Sequence, residues 1–407
     1  MAAESQQRLV GLDGIRGLAA LYVVLSHVFL RSFPGYPAAN GPWWTTWMIY
    51  GHFAVAVFIV LSGFSLAVSP ARHDWQLNGT TRFFHRRAWR ILPPYWAALV
   101  FSLLVAWLII PQPGLPEPNA MSVIANGLLV QDVIDAPTPN RAFWTIAVEA
   151  QLYLVFPLLL LFIRRISGFA MLAAVTAIVV AVGALAPSAP LANWLMRLTP
   201  QFAALFALGM VAAGIVRSSK RRRDWPWHWL ALAAAAPVLA LIVWKGSVWT
   251  IGSNLFWIDL AFGPAIGCLF AALATGRPAS LVRLLNTGPM RTLGSMSYSL
   301  YLTHLPIVTV VCEVILASQI RTGLPSFLLS LAIAVPATLI FGRLFAAVFE
   351  IPFVRHRGWA PLKSAITQRF RGTARQPATS DSHSAQPDRI DTPAAVVAAS
   401  PAAAGDG

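Results

Sequence analysis

Arg16 and His27 stand eleven residues apart in LDGIRGLAALYVVLSH, an otherwise apolar stretch. On a helix, eleven residues make three turns plus roughly 20°, with a rise of about 16 Å, so the two side chains share one face. An imidazole near its pKa is a base or a nucleophile, and a guanidinium holds phosphate or carboxylate. Together they describe a polar track from a membrane surface at Arg16 toward mid-membrane at His27. Singly, each also has a plain structural explanation: an arginine that snorkels, and a histidine satisfied by a neighbouring helix.

Three more groups have chemical potential. In TRFFHRRAWRILPPYW, Arg86, Arg87 and Arg90 fall three and four residues apart, one cationic face of a helix. Such a face suits bidentate contact with a polyphosphate, or with the lipid headgroups that any basic juxtamembrane segment meets. The Pro93-Pro94 pair predicts a helix break that turns the arginines away from the lipid axis. In FWTIAVEAQLYLVFP, Glu149 and Tyr153 share a face about two turns inside the outer boundary. That carboxylate is either the partner of a buried cation or the group that orients a catalytic imidazole and stabilises its charged form. In LGSMSYSLYLTHLPI, His304 lies one turn beyond Tyr301 and two beyond Ser297, among small and hydroxyl residues that suit close helix packing.

The elements that must position these residues follow from composition. Of 407 residues, 57 % are hydrophobic and 11 % charged, against about 25 % charged in ordinary soluble domains. A soluble globular protein is excluded, and the mean hydropathy of +0.64 describes a chain solvated by lipid. The expected fold is all-α, a polytopic bundle of about ten transmembrane spans. They are placed near 12–30, 48–69, 91–110, 143–163, 169–186, 201–216, 227–244, 255–275, 295–317 and 326–350.

The net charge of +15 would suggest nucleic acid in a soluble protein; here it reports topology. Even-numbered loops hold fifteen Lys and Arg and odd-numbered loops five, so both termini are predicted to be cytoplasmic in a multi-pass cell-membrane protein. Asp13, Arg16 and His27 interrupt the first apolar run, which reads as a retained helix and not a signal peptide. Residues 1–355 are expected to form the membrane domain. Residues 356–407, polar and low in complexity, are expected to be a disordered cytoplasmic tail, leaving no soluble catalytic domain. Cys268 and Cys312 lie in apolar runs and suggest neither a disulfide framework nor a metal site.

A charge at the bilayer centre costs roughly 2.5–3.5 kcal/mol even on lenient scales, so each one inside a span needs a partner, water or a function. Besides the residues above, Asp13, Asp259, Glu313 and Arg343 qualify.

Five patterns in one order resemble the acyltransferase type 3 family of integral-membrane O-acyltransferases. LDGIRGLAALYVVLSH is similar to its opening helix, FIVLSGFSL to its next motif with Ser62, Gly63 and Phe64, and RRAWRILPPYW to its paired arginines, here Arg87 and Arg90. FWTIAVEAQLYLVFP resembles its Trp-Ser-x-x-x-Glu segment with Trp144, Glu149, Tyr153 and Pro157, and LGSMSYSLYLTHLPI its penultimate-helix motif ending in His304. Thr145 replaces the usual Ser and keeps a hydroxyl; Ala150 replaces a second acid, leaving Glu149 the sole carboxylate of that motif. Residues from about 165 to 290 carry no such motif.

The resemblance implies transfer of an acyl group, commonly acetyl, from cytoplasmic acyl-CoA as co-substrate to a hydroxyl of a glycan, a lipid-linked sugar or a secondary metabolite. Arg16, Arg87 and Arg90 would bind the donor. His27 would deprotonate the acceptor or take the acyl group itself, with Glu149 fixing the imidazole. Trp144, Tyr153, Ser297, Tyr298 and His304 would support them, and no metal or bound cofactor is required. A proton-coupled transporter is the rival reading, with Asp259 and Glu313 as relay groups; an inactive homologue used as a membrane partner is a third. Neither the segment PQPGLPEP nor the cluster Trp43, Trp44 and Trp47 names an acceptor, and those tryptophans suit interfacial anchoring.

Overall fold

The computed structural model describes residues 11–317 and 319–356, with residues 358, 363, 364 and 367. The expected tail falls almost wholly outside the described residues, and residues 1–10 lie outside them too. Every regular element among the described residues is helical. Among the described residues nine helices are long and apolar enough to cross a membrane, and Pro190–Met196 with Gln201–Arg217, bent by 59°, makes a tenth when counted as one span. In chain order they are α1 (Leu12–Ser32), α2 (His52–Arg72), α3 (Thr80–Leu108), α4 (Trp144–Arg165), α5 (Gly168–Leu185) and α6 (Gln201–Arg217). Then come α7 (Trp227–Ser253), α8 (Leu255–Ala274), α9 (Ser297–Leu316) and α10 (Leu324–His356). The chain is an all-α, multi-pass membrane protein.

Side-chain periodicity decides which helices are central. On α4, Leu154, Leu158 and Leu161 point outward at helical spacing, while Tyr153, Phe156 and Leu160 face the bundle. The outward leucines are stable because lipid, not water, is their solvent. α5 and α7 bury little of their surface and form the periphery, whereas α9 is the most enclosed span.

Lipid cannot drive helix association by the hydrophobic effect, so close backbone approach at small residues takes over. A Cβ on Gly63 of α2 would meet the Phe206 carbonyl oxygen of α6 at 2.1 Å, and one on Gly209 would meet the Val60 carbonyl oxygen at 2.1 Å. The two backbones touch there, which fixes the position of Ser62 next to Gly63. A Cβ on Gly294, in the short helix Gly288–Ser295 before α9, would meet the Asp13 carbonyl oxygen at 2.0 Å. That contact clamps the start of α1 to the start of α9.

Two expectations are corrected. α3 begins at Thr80, not near 91, so Arg86, Arg87 and Arg90 lie within the long helix and not before it. Nor does Pro93-Pro94 break it: α3 is continuous through both prolines. Within a bundle, neighbouring helices can satisfy the backbone groups that prolines leave over. Beside the prolines, α3 is tied to α9 by the Tyr298 hydroxyl, which donates to the Ile91 carbonyl at 3.1 Å.

Candidate functional site

Five spans converge on a cavity of about 120 Å³. α1 supplies Arg16; α2 supplies Ser62 and Ser65; α3 supplies Arg87 and Arg90; α4 supplies Thr145, Glu149 and Tyr153; α9 supplies Ser297, Tyr298 and Tyr301. Residues separated by nearly 300 positions thus share one wall, and the remaining lining is apolar, including Val55, Phe58 and Ile59.

Cations prevail in this cavity. Arg16 Nη1 bonds the Asp13 carboxylate one turn earlier at 3.1 Å. The Arg87 guanidinium lies over the rings of Phe83 and Tyr153, 5.8 and 5.9 Å from their centroids. No ion pair engages Arg87 or Arg90 among the described residues. Three guanidiniums around one lining carboxylate, Arg16 and Arg87 partly buried and Arg90 exposed, make a site for an anion, and guanidinium forks favour phosphate oxygens. Among the described residues no three His, Cys, Asp or Glu converge as metal ligands.

Glu149 is anchored by hydroxyls. Its Oε1 accepts from Ser62 Oγ at 2.8 Å and from the Tyr153 hydroxyl, which also lies 3.3 Å from Ser62 Oγ. The expected contact between Glu149 and His27 is not formed. His27 Nδ1 instead donates to the Val23 carbonyl one turn back at 2.8 Å. An imidazole hydrogen-bonded to its own helix needs no carboxylate to fix its ring, and the hydroxyl motif on α2 takes up the carboxylate.

The structure divides the sequence-derived set in three. Arg16, Arg87, Arg90, Glu149, Tyr153, Ser297 and Tyr298 line the cavity. His27 and His304 form a second group, their rings edge-on with centroids 5.0 Å apart. Tyr301 joins the two: it lines the cavity, and its ring centroid is 5.6 Å from that of His304. Trp144 belongs to neither. It stacks on His52 at 5.8 Å, and His52 Nε2 bonds Asp259 Oδ2 at 2.8 Å. Gln201 reaches the same oxygen at 3.3 Å. Glu313 lies 3.8 Å from Arg31. Asp259 and Glu313 therefore sit in two separate pairs, and no hydrogen bond joins either to His27 or Glu149 among the described residues.

The hydroxyl of Thr145 is used: it donates to the Tyr301 hydroxyl at 2.8 Å and lies 3.0 Å from the Ala142 carbonyl. Sequence reasoning missed Glu350. This buried α10 carboxylate accepts from the Ser299 backbone N–H at 3.1 Å and from Ser299 Oγ at 2.6 Å, capping the first turn of the helix that carries Tyr298, Tyr301 and His304. Its only sequence signal was a lone acid closing an apolar run. Replacing Glu350 with Ala strands a buried N–H, which costs about 1–3 kcal/mol. We expect a lower unfolding midpoint in detergent for Glu350→Ala, and near-normal stability for Glu350→Gln, whose amide oxygen can still accept.

The sequence profile of an acyltransferase domain matches residues 9–343, most of the chain. The chain belongs to the acyltransferase type 3 family. Among its relatives, the peptidoglycan O-acetyltransferase OatA of Listeria monocytogenes is 23 % identical over 387 residues, covering 87 % of this chain and 57 % of that protein. The acyltransferase MdmB of Streptomyces mycarofaciens is 28 % identical, covering 74 % of this chain and 79 % of MdmB. The putative peptidoglycan O-acetyltransferase YrhL of Bacillus subtilis is 27 % identical, covering 73 % and 48 %. This acyltransferase-family chain thus spans about half the length of the peptidoglycan O-acetyltransferases it matches. No solved structure matches it. All five motifs of the resemblance fall within the matched residues, and every helix that lines the cavity lies there too.

Proposed function

We propose that this chain is a membrane O-acyltransferase that moves an acyl group, acetyl in the simplest case, from cytoplasmic acyl-CoA to a hydroxyl of a carbohydrate or other hydroxyl-bearing acceptor. The observation that carries the reading is the cavity itself, where Arg16, Arg87 and Arg90 meet around one lining carboxylate, Glu149. The donor has matching chemistry: anionic phosphates at one end and a neutral thioester at the other. A neighbouring cavity of about 130 Å³, lined by Gln76, Asn78, Arg82, Arg86 and Arg87, shares Arg87 with the first and supports a nucleotide end held beside it. The basic even-numbered loops support a cytoplasmic position for both cavities and for the termini.

From there the pantetheine arm would follow α1 past Tyr301 toward His27, whose Nε2 acts on the thioester or on the acceptor hydroxyl. Glu149, with Ser62 and Tyr153, shapes the passage and holds negative charge against the arginines. The relatives named for peptidoglycan favour a glycan acceptor.

The test is incubation of the purified protein in lipid nanodiscs with acetyl-CoA and isolated cell envelope, following free thiol. Envelope-dependent release of CoA with acetyl ester appearing in the envelope fraction supports the reading. Solute flux into proteoliposomes without thiol release would put a transporter in its place.

A further inference from the structure

The two imidazoles at the heart of the bundle carry more information than one catalytic histidine requires. His27 Nδ1 lies 2.8 Å from the Val23 carbonyl, and His304 Nδ1 lies 2.6 Å from the Tyr301 carbonyl. A carbonyl only accepts, so in each ring the proton sits on Nδ1. Each neutral imidazole therefore keeps its lone pair on Nε2. The rings meet edge-on, 5.0 Å between centroids at an interplanar angle of 62°. His304 is fully buried, and its Nε2 has no partner. An unsatisfied buried acceptor costs about 1–3 kcal/mol and calls for an explanation. No carboxylate is hydrogen-bonded to either ring among the described residues, so nothing resembling a His–Asp pair is present to stabilise one imidazole as it charges.

Two adjacent bases with their lone pairs on the same type of nitrogen suit a reaction with two distinct demands. Acyl transfer in two stages has them: a nucleophile for the thioester carbon and a base for the incoming hydroxyl. His27 is the more accessible ring and shares the helix face of Arg16; His304 is the enclosed one.

We propose that the two histidines divide the work: His27 Nε2 carries the acyl group, and His304 Nε2 is the catalytic base that deprotonates the hydroxyl which removes it. This rests on the acyltransferase reading above. In the first stage a bond forms between His27 Nε2 and the acyl carbon, and the carbon–sulfur bond breaks with its electron pair leaving on the CoA thiolate. In the second the acceptor oxygen bonds the acyl carbon, its proton passes to His304 Nε2, and the carbon–nitrogen bond breaks to return the lone pair to His27. The proton on His304 is then lost to solvent or to the thiolate, and the enzyme is restored. A hydroxyl attacking an acyl group on His27 arrives beside the His304 ring, which gives the orphaned nitrogen its use.

The experiment uses the full-length protein in nanodiscs, radiolabelled acetyl-CoA with no acceptor, and water as the deacylating hydroxyl. Wild type should release a burst of up to one CoA per chain, with label on the peptide holding His27, followed by slow turnover. His304→Ala and His304→Gln should keep the burst and hold the label about 100-fold longer, the scale of losing one general base. Hydroxylamine, which attacks acyl-imidazole without a base, should strip the label equally from all of them. The retained burst shows that the variants are folded. Label on another residue, decay at the wild-type rate, or loss of the burst in both position-304 variants would overturn the division of labour. Steady envelope-dependent CoA release by wild type with no acyl adduct would also overturn it while leaving the acyltransferase reading intact. If wild type releases no CoA with envelope present, the acyltransferase reading itself fails.

Discussion

Replacing His27 with Ala is expected to remove acetyl-CoA-dependent release of CoA, a fall of about 10²–10⁴-fold for loss of a general base, and more if the residue is a nucleophile. Neither neighbouring imidazole makes up for the loss: His304 is assigned the base step and not attack on the thioester, and His52 is held by Asp259 and stacked on Trp144. The fold should survive, because His27 is only half-buried and its one hydrogen bond is to its own helix, so the truncated side chain leaves no unsatisfied partner on a neighbouring span. The measurement is thiol release by the purified variant with acetyl-CoA and cell envelope, alongside its unfolding midpoint in detergent. Wild-type release by His27→Ala would rule out both roles considered for this residue, and would move attention to Glu149 and the hydroxyls around it.

How far these roles were legible in the sequence depends on the distance over which each one is decided. The eleven-residue spacing of Arg16 and His27 is local, and α1 carries both on the expected helix. The spans were legible because lipid imposes a length and an apolar composition on each segment by itself. The sixth span was the shortest apolar run of the ten, and it is where the helix is bent and interrupted before Gln201. Partnerships across helices were not legible. Glu149 and Ser62 are 87 positions apart, and nothing local to either segment says that α2 and α4 meet at that depth. The same is true of Glu350 on Ser299 and of Trp144 on His52. Where a sequence rule failed outright, at Pro93-Pro94, a breaking propensity learned in water did not carry over to a helix packed within a bundle.

Removing the cationic wall should separate donor binding from chemistry. For Arg87→Ala, and more strongly for Arg87→Ala with Arg90→Ala, we expect the KM for acetyl-CoA to rise with kcat much less changed. A hydrogen bond to a charged group contributes about 1.5–3 kcal/mol, which is roughly 10- to 150-fold in KM for every such bond removed. The effect should be specific to the phosphates: a short acetyl-pantetheine thioester that lacks the nucleotide should bind the variants nearly as well as it binds wild type, because it never reached the arginines. Raising salt should weaken wild type toward the variants, and it should do so incompletely, since Arg87 is partly enclosed by protein and is screened less than the exposed Arg90. Arg87→Lys should recover part of the affinity but not all, because an ammonium keeps the charge and loses the planar fork. Arg87 also covers the rings of Phe83 and Tyr153, so its loss exposes apolar surface, and the unfolding midpoint must be read beside the kinetics. If acetyl-CoA saturates the double variant as it saturates wild type, these arginines serve lipid headgroups or packing, and the cavity is not the donor site.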